Sequence, residues 1–168
     1  TEADARHNLL REGIADEKIH FVGNVMIDTL RYNLKDAVPA SSTLARFNGS
    51  GVTDHGAGYG VVTLHRPSNV DDPEVLERLL KVLAQISQRT PLYFPIHPRT
   101  ESRLAAAGLE PLLAQSSITT IAPQGYLEML GLMKDARVVL TDSGGIQEET
   151  TALGVPCITV RDNTERPI

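Results

Sequence analysis

From Tyr59 onward the apolar residues of this chain fall into two alternating patterns: short β-branched runs and longer stripes at helical spacing. Gly60 to Leu64, Leu92 to Ile96, Ile118 to Ala122, Val138 to Thr141 and Pro156 to Val160 are runs of strand length bounded by turn residues. Between the first two, Val75, Leu76, Leu79, Leu83 and Ile86 recur on one helical face. Asp72-Pro73-Glu74 opens that helix with a capping acid and a proline at the first helical position. Further helices are expected at Thr100 to Ala107, closed by Gly108, and at Tyr126 to Met133. A fourth follows Gly145, where Ile146, Thr150 and Leu153 are three and four residues apart and Gly154 stops the run. Apolar strands alternating with helices specify a parallel sheet covered on both faces, a Rossmann-like doubly wound α/β domain.

The pattern is weaker before Tyr59. Ala5 to Glu12 reads as a helix closed by Gly13, and Ile19 to Val22 as a short strand or an interdomain connector. Met26, Ile27, Leu30 and Leu34 restore helical spacing. Pro39 to Gly58 has little periodicity and is expected to be a loop, because it offers too little apolar surface to offset the entropy of ordering. His55, inside it, is expected to be solvated. Residues 1–22 then read as the tail of a preceding domain or a connector, and 23–168 as a partial nucleotide-binding domain.

Composition narrows the function classes. The 168 residues allow one domain with its own core, and a net charge of −5 argues against a nucleic acid or an anionic membrane as the main partner. The single Cys157 excludes an internal disulfide, suits a reducing compartment, and by its apolar surroundings is expected to be a buried structural thiol. With no membrane-length apolar run and no signal peptide, a cytoplasmic location is expected. A chain that starts without Met and stops inside the TERPI segment reads as a fragment. No cysteine or carboxylate cluster accompanies the histidines at metal-ligand spacing.

Ligands of doubly wound sheets bind outside the carboxyl ends of the strands. The five runs deliver there, in order, His65-Arg66-Pro67, His97-Pro98-Arg99, Pro123-Gln124-Gly125, Asp142-Ser143-Gly144-Gly145, and Arg161 followed by Thr164-Glu165-Arg166. A strand that turns through glycines into a helix leaves amide N–H groups at the positive end of the helix dipole, a cradle for phosphate to which Ser143 adds a hydroxyl. At about 100° per residue Glu149 falls beside Ile146 and Leu153, on the inner edge of its helix, while Glu148 points away. An inner carboxylate one turn beyond a phosphate cradle can accept both hydroxyls of a vicinal diol such as ribose. The alternative is an ordinary turn carrying two helix-favouring acids. Asp142 is expected to orient the turn, Arg66 and Arg99 to form structural or surface ion pairs, and Gln124-Gly125-Tyr126 to offer backbone groups to a flat base. Met129 would pack on that base or in the core.

In these residues the chain resembles the bacterial non-hydrolysing UDP-N-acetylglucosamine 2-epimerases, a family with the two-domain GT-B fold. The matching segments are Gly23 to Asp28, TLHRPSNVD (Thr63 to Asp71), FPIHPRT (Phe94 to Thr100), PQGYLEMLGLM (Pro123 to Met133), TDSGGIQEE (Thr141 to Glu149) and RDNTERP (Arg161 to Pro167). The resemblance implies interconversion of UDP-GlcNAc and UDP-ManNAc by elimination and re-addition of UDP, without a cofactor, in a homodimeric full-length enzyme. It implies that His65 contacts substrate and assists catalysis and that Ser143, Gly144 and Gly145 cradle phosphate. Glu149 would hold the ribose, Arg166 would meet phosphate, and the backbone of Gln124 and side chain of Met129 would meet the uracil. Many members carry Glu where Ser68 stands. In the family the carboxylates that act at C2 come from the N-terminal domain.

Overall fold

The computed structural model describes residues 4–47 and 58–164. Its strands are β1 (Gly60–Thr63), β2 (Leu92–Pro95), β3 (Ile118–Ile121), β4 (Val138–Thr141) and β5 (Cys157–Thr159). All pair in parallel, in the order β3-β2-β1-β4-β5. The chain steps outward from β1 to β2 and β3, then crosses back to lay β4 on the other side of β1. The winding direction therefore reverses between β1 and β4. Their register is level, with Val61 opposite Val139 and Thr63 opposite Thr141, so the chain leaves both strands at the same height.

Strand alternation divides the core between two faces. On one, Val62, Leu64, Phe94 and Leu140 pack with α5 (Pro73–Ser87), α6 (Pro98–Ala107) and α7 (Glu110–Ala114). On the other, Val61, Tyr93 and Val139 pack with α3 (Ala40–Leu44), α8 (Tyr126–Lys134) and α9 (Gly144–Leu153). A short α4 (Pro67–Val70) follows β1, while α1 (Ala5–Arg11) and α2 (Val25–Asn33) precede the sheet. Capping follows the chemistry expected from sequence: the Asp72 carboxylate accepts from the amides of Glu74 and Val75, and Gly108 and Gly154 close α6 and α9 in the left-handed conformation.

Four local expectations are corrected. Ile19 to Val22 forms no strand, and Phe21 and Val22 are exposed. Part of the expected loop from Pro39 is helical: α3 buries Ala40, Thr43 and Leu44, with Phe47 packed behind them. The remainder of that loop, including His55, lies outside the described residues. The buried stripe of α5 keeps Leu76 and Leu83 of the expected face, with Ile86 packed against it, but adds Leu80 and leaves Val75 and Leu79 half-buried. Cys157 is half-buried instead of enclosed, because β5 is an edge strand.

The approach to α3 depends on one glycine. The Val38 amide donates to the Leu127 carbonyl at 3.1 Å, and a Cβ on Gly131 would lie 1.7 Å from the Val38 carbonyl oxygen. Any side chain there would push the segment off α8.

Candidate functional site

The loops after β1 and β4 meet around one buried carboxylate. The Asp142 side chain is fully enclosed. Its Oδ2 accepts from the His65 amide at 2.9 Å, the Arg66 amide at 2.8 Å and the Asn69 Nδ2 at 3.1 Å. The other oxygen, Oδ1, lies 2.8 Å from His65 Nδ1. A desolvated carboxylate is costly unless its lone pairs are met, and here the β1 loop supplies the donors. Asn69 also donates to the Val160 carbonyl at 2.9 Å, tying in the end of β5. With Nδ1 beside Asp142, the far nitrogen of the His65 ring, Nε2, is the one turned from the carboxylate. Asp142 thus orients His65 as well as the turn. Strand spacing alone carries no signal of this contact, since the partners are 77 residues apart.

Behind Asp142 the chain turns directly into α9. Ser143 is its N-cap, accepting from the Ile146 amide at 3.5 Å, and Gly144 and Gly145 take the first two helical positions. Amides there have no carbonyl of their own helix to meet. A Cβ on Gly145 would stand 3.0 Å from Met26 Cε, so α2 closes the rear of the turn. One turn along, Glu149 and Glu148 are both buried, 9% and 6% exposed, because α2 and α8 flank α9 as well as the sheet. Burial raises the pKa of Glu149, a hydrogen bond with Tyr126 pulls it down, and the Glu148 charge pushes it up. Gln147, which sequence reasoning passed over, is also buried. Its Nε2 donates to the Ser143 carbonyl, and its Oε1 accepts from the Thr164 hydroxyl at 2.8 Å.

His65, Gln124 and Met129 line one cavity of about 180 Å³ together with His97, Pro123 and Ile146. The two imidazole rings are 5.9 Å apart. Gln124 turns its side-chain amide back to the Ala122 carbonyl at 2.6 Å, and Met129 both lines the cavity and packs on the core. The glycine turn and Glu149 belong to α9, which also brings Ile146 to this cavity. Arg166 lies outside the described residues. His97 Nδ1 accepts from the Arg99 amide at 3.1 Å and caps α6, while Arg99 and Arg103 pair with the exposed Asp71. A larger cavity, about 540 Å³, opens beyond Arg66 between Val75, Leu79 and Arg161. It contains neither the glycine turn nor His65. No group of metal-ligating side chains forms among the described residues.

This geometry puts an anion cradle, an inner carboxylate and an oriented imidazole at the switch point where doubly wound sheets bind nucleotides. The family profile for UDP-N-acetylglucosamine 2-epimerase matches residues 1–168. The chain belongs to that family. A UDP-N-acetylglucosamine 2-epimerase of Methanococcus maripaludis is 46% identical over 97% of this chain and 44% of its own length. The structure of the Methanocaldococcus jannaschii UDP-GlcNAc 2-epimerase superposes with a TM-score of 0.80 at 46% identity, covering 97% of this chain and 45% of that one. The same archaeal enzyme in complex with UDP-GlcNAc and UDP gives a TM-score of 0.79 at 42% identity, covering 97% and 44%. The chain therefore spans under half the length of these family members, and its doubly wound sheet is theirs. No helix among the described residues is long and apolar enough to cross a membrane.

Proposed function

We propose that this chain is the UDP-binding half of a non-hydrolysing UDP-N-acetylglucosamine 2-epimerase that interconverts UDP-GlcNAc and UDP-ManNAc. One observation carries the reading: at the reversal between β1 and β4, Asp142 stands 2.8 Å from His65 and leads directly into the Ser143-capped glycine turn of α9, on which Glu149 is buried one turn along. In this assignment the diphosphate docks on the amides of Gly144 and Gly145 and the Ser143 hydroxyl. Glu149 accepts the two ribose hydroxyls. Uracil lies over Met129 and against the main chain at Gln124. Arg166 adds a positive charge near the phosphates.

The chemistry follows from where charge develops. Loss of the C2 proton and departure of UDP from C1 give 2-acetamidoglucal; UDP then adds back at C1 while a proton returns to the opposite face of C2. Departure leaves negative charge on the β-phosphate, and donors aimed at it lower the barrier, by about 100- to 1000-fold for one well-placed donor. His65, carrying a proton at Nε2 and braced by Asp142, is the donor this half supplies, with the α9 amides beside it. The acid and base at C2 come from carboxylates of the N-terminal half; Glu149 is committed to the diol and Asp142 to His65. Residues 1–22 belong to the connection with that half, and 23–168 to the nucleotide domain. The full-length protein works as a cytoplasmic homodimer without a cofactor.

Product analysis of the full-length protein by NMR tests the reading, with UDP-ManNAc expected from UDP-GlcNAc. Free ManNAc plus UDP would identify a hydrolysing epimerase, and transfer to an acceptor would identify a glycosyltransferase. The present chain alone is expected to bind UDP weakly and to show no turnover.

A further inference from the structure

Gln147 has no part in the chemistry assigned above, yet it stands on the opening turns of α9 and is only 4% exposed. Both ends of its side-chain amide are engaged. The Nε2 donates to the Ser143 carbonyl at 3.2 Å, and the Oε1 accepts from the Thr164 hydroxyl at 2.8 Å. A carbonyl cannot donate, so the Ser143 contact fixes which end of the amide faces Thr164. The stretch held in this way is the loop after β5. Its near end is fastened at Val160, whose amide donates to the Thr141 carbonyl at 2.8 Å and whose carbonyl accepts from Asn69 Nδ2 at 2.9 Å. Its far end is Thr164, which is exposed and lies 17 residues along the chain from Gln147. Arg161 to Thr164 is thus pinned at both ends, the second pin leading through Gln147 to Ser143, the N-cap of the glycine turn.

We propose that Gln147 is a positioning residue for the diphosphate: its amide latches Thr164 to the phosphate turn, so that the chain sets out toward Arg166 from the place where the phosphates dock. This rests on the assignment of the phosphates to the α9 turn and Arg166. Covalent geometry supplies the reach. Two residues span at most about 7 Å of chain, so anchoring Thr164 keeps the Arg166 backbone within that distance of the anchor. A guanidinium on its long stem can then meet an anion at the turn. Without the latch, more of the entropy of ordering the loop would be charged against UDP binding, and affinity would drop although no group touching the nucleotide had changed. A buried amide stripped of its partners is costly in itself, which makes the exposed partner, Thr164, the cleaner place to cut the contact.

The test is calorimetric titration of the full-length protein with UDP and competition titration with uridine, which keeps the base and ribose but has no phosphate. Thr164→Val removes the hydroxyl at an exposed position and should weaken UDP about three- to tenfold while leaving uridine unchanged. Thr164→Ser keeps the donor and should restore UDP affinity. Gln147→Met should give the same loss as Thr164→Val, and the two together no more than either alone. In an Arg166→Ala background, itself weaker for UDP, Thr164→Val should add nothing. UDP affinity unmoved by Thr164→Val, beside a weakened Arg166→Ala, overturns the role of Gln147 and leaves the phosphate assignment standing. An equal loss for UDP and uridine, or an undiminished Thr164→Val effect in the Arg166→Ala background, also overturns that role, because the contact then acts through the fold or on the ligand directly. Should Gln147→Met fail to fold, the Thr164 and Arg166 variants still decide. UDP binding indifferent to Arg166→Ala overturns the Arg166 assignment and the inference with it.

Discussion

Two strand ends of this sheet carry the same residue types, yet only one of them is built as a site. After β1 and β4, a histidine and an aspartate meet with the acid fully buried, its Oδ2 accepting three hydrogen bonds and its Oδ1 2.8 Å from His65 Nδ1. After β2, two arginines of α6 pair with Asp71, whose side chain is one-third exposed. His97 there serves its own helix by capping α6, and Arg99 with Arg103 fastens α6 to the end of α4. The buried Thr100 hydroxyl adds to that fastening by donating to the Leu64 carbonyl at 2.5 Å. Burial makes the difference. An exposed ion pair is screened and competes with water, whereas an enclosed carboxylate dictates the position of every donor around it.

The largest expected effect breaks the buried half of the comparison. Asp142→Ala leaves the His65 and Arg66 amides and the Asn69 side chain without their acceptor, and should cost about 3 to 5 kcal/mol in urea unfolding. A loss well under 1 kcal/mol would show that the loops hold their positions without the acid.

Glu149→Gln comes next and should act in opposite directions on binding and folding. UDP affinity should drop about 10- to 100-fold by calorimetry, from losing hydrogen bonds to a charged acceptor. Burial raises the Glu149 pKa, so the fold favours its protonated form. The stabilisation from that preference is complete below the unfolded pKa and is lost as pH rises through the folded value. The variant should therefore melt higher than wild type at pH 8, with the gap closing toward pH 4. A gap that widens on acidification contradicts the raised pKa.

The smallest effect belongs to the exposed half. Asp71→Asn should leave the melting point nearly unchanged, and 1 M salt should erase any difference that remains. A large loss would mean that the β2 end is structured like the β1 end after all.

The sheet was legible because each strand is a short β-branched run closed by turn residues; helical angle set Glu149 inward and Glu148 outward, yet both are buried because helices flank α9 on more than its sheet side. The stripe of α5 was legible at Leu76, Leu83 and Ile86, but Leu80 was missed, since Leu79 beside it is equally apolar. In α3, the spacing of Ala40, Thr43, Leu44 and Phe47 was present but diluted by the Pro and Ser around it. The grip of Asp142 on His65 depends on β1 lying beside β4. Strand order is a tertiary outcome that no local pattern encodes.

The close crossing of Val38 over Gly131 reaches beyond packing. Helix α8 borders the cavity through Met129 and carries Gly131 two residues further on. The stretch of chain that precedes the sheet is thus clamped to the same rod that borders the cavity. A tug on residues 25–38 would be felt at the cavity wall, and a ligand that shifted the rod would be felt upstream.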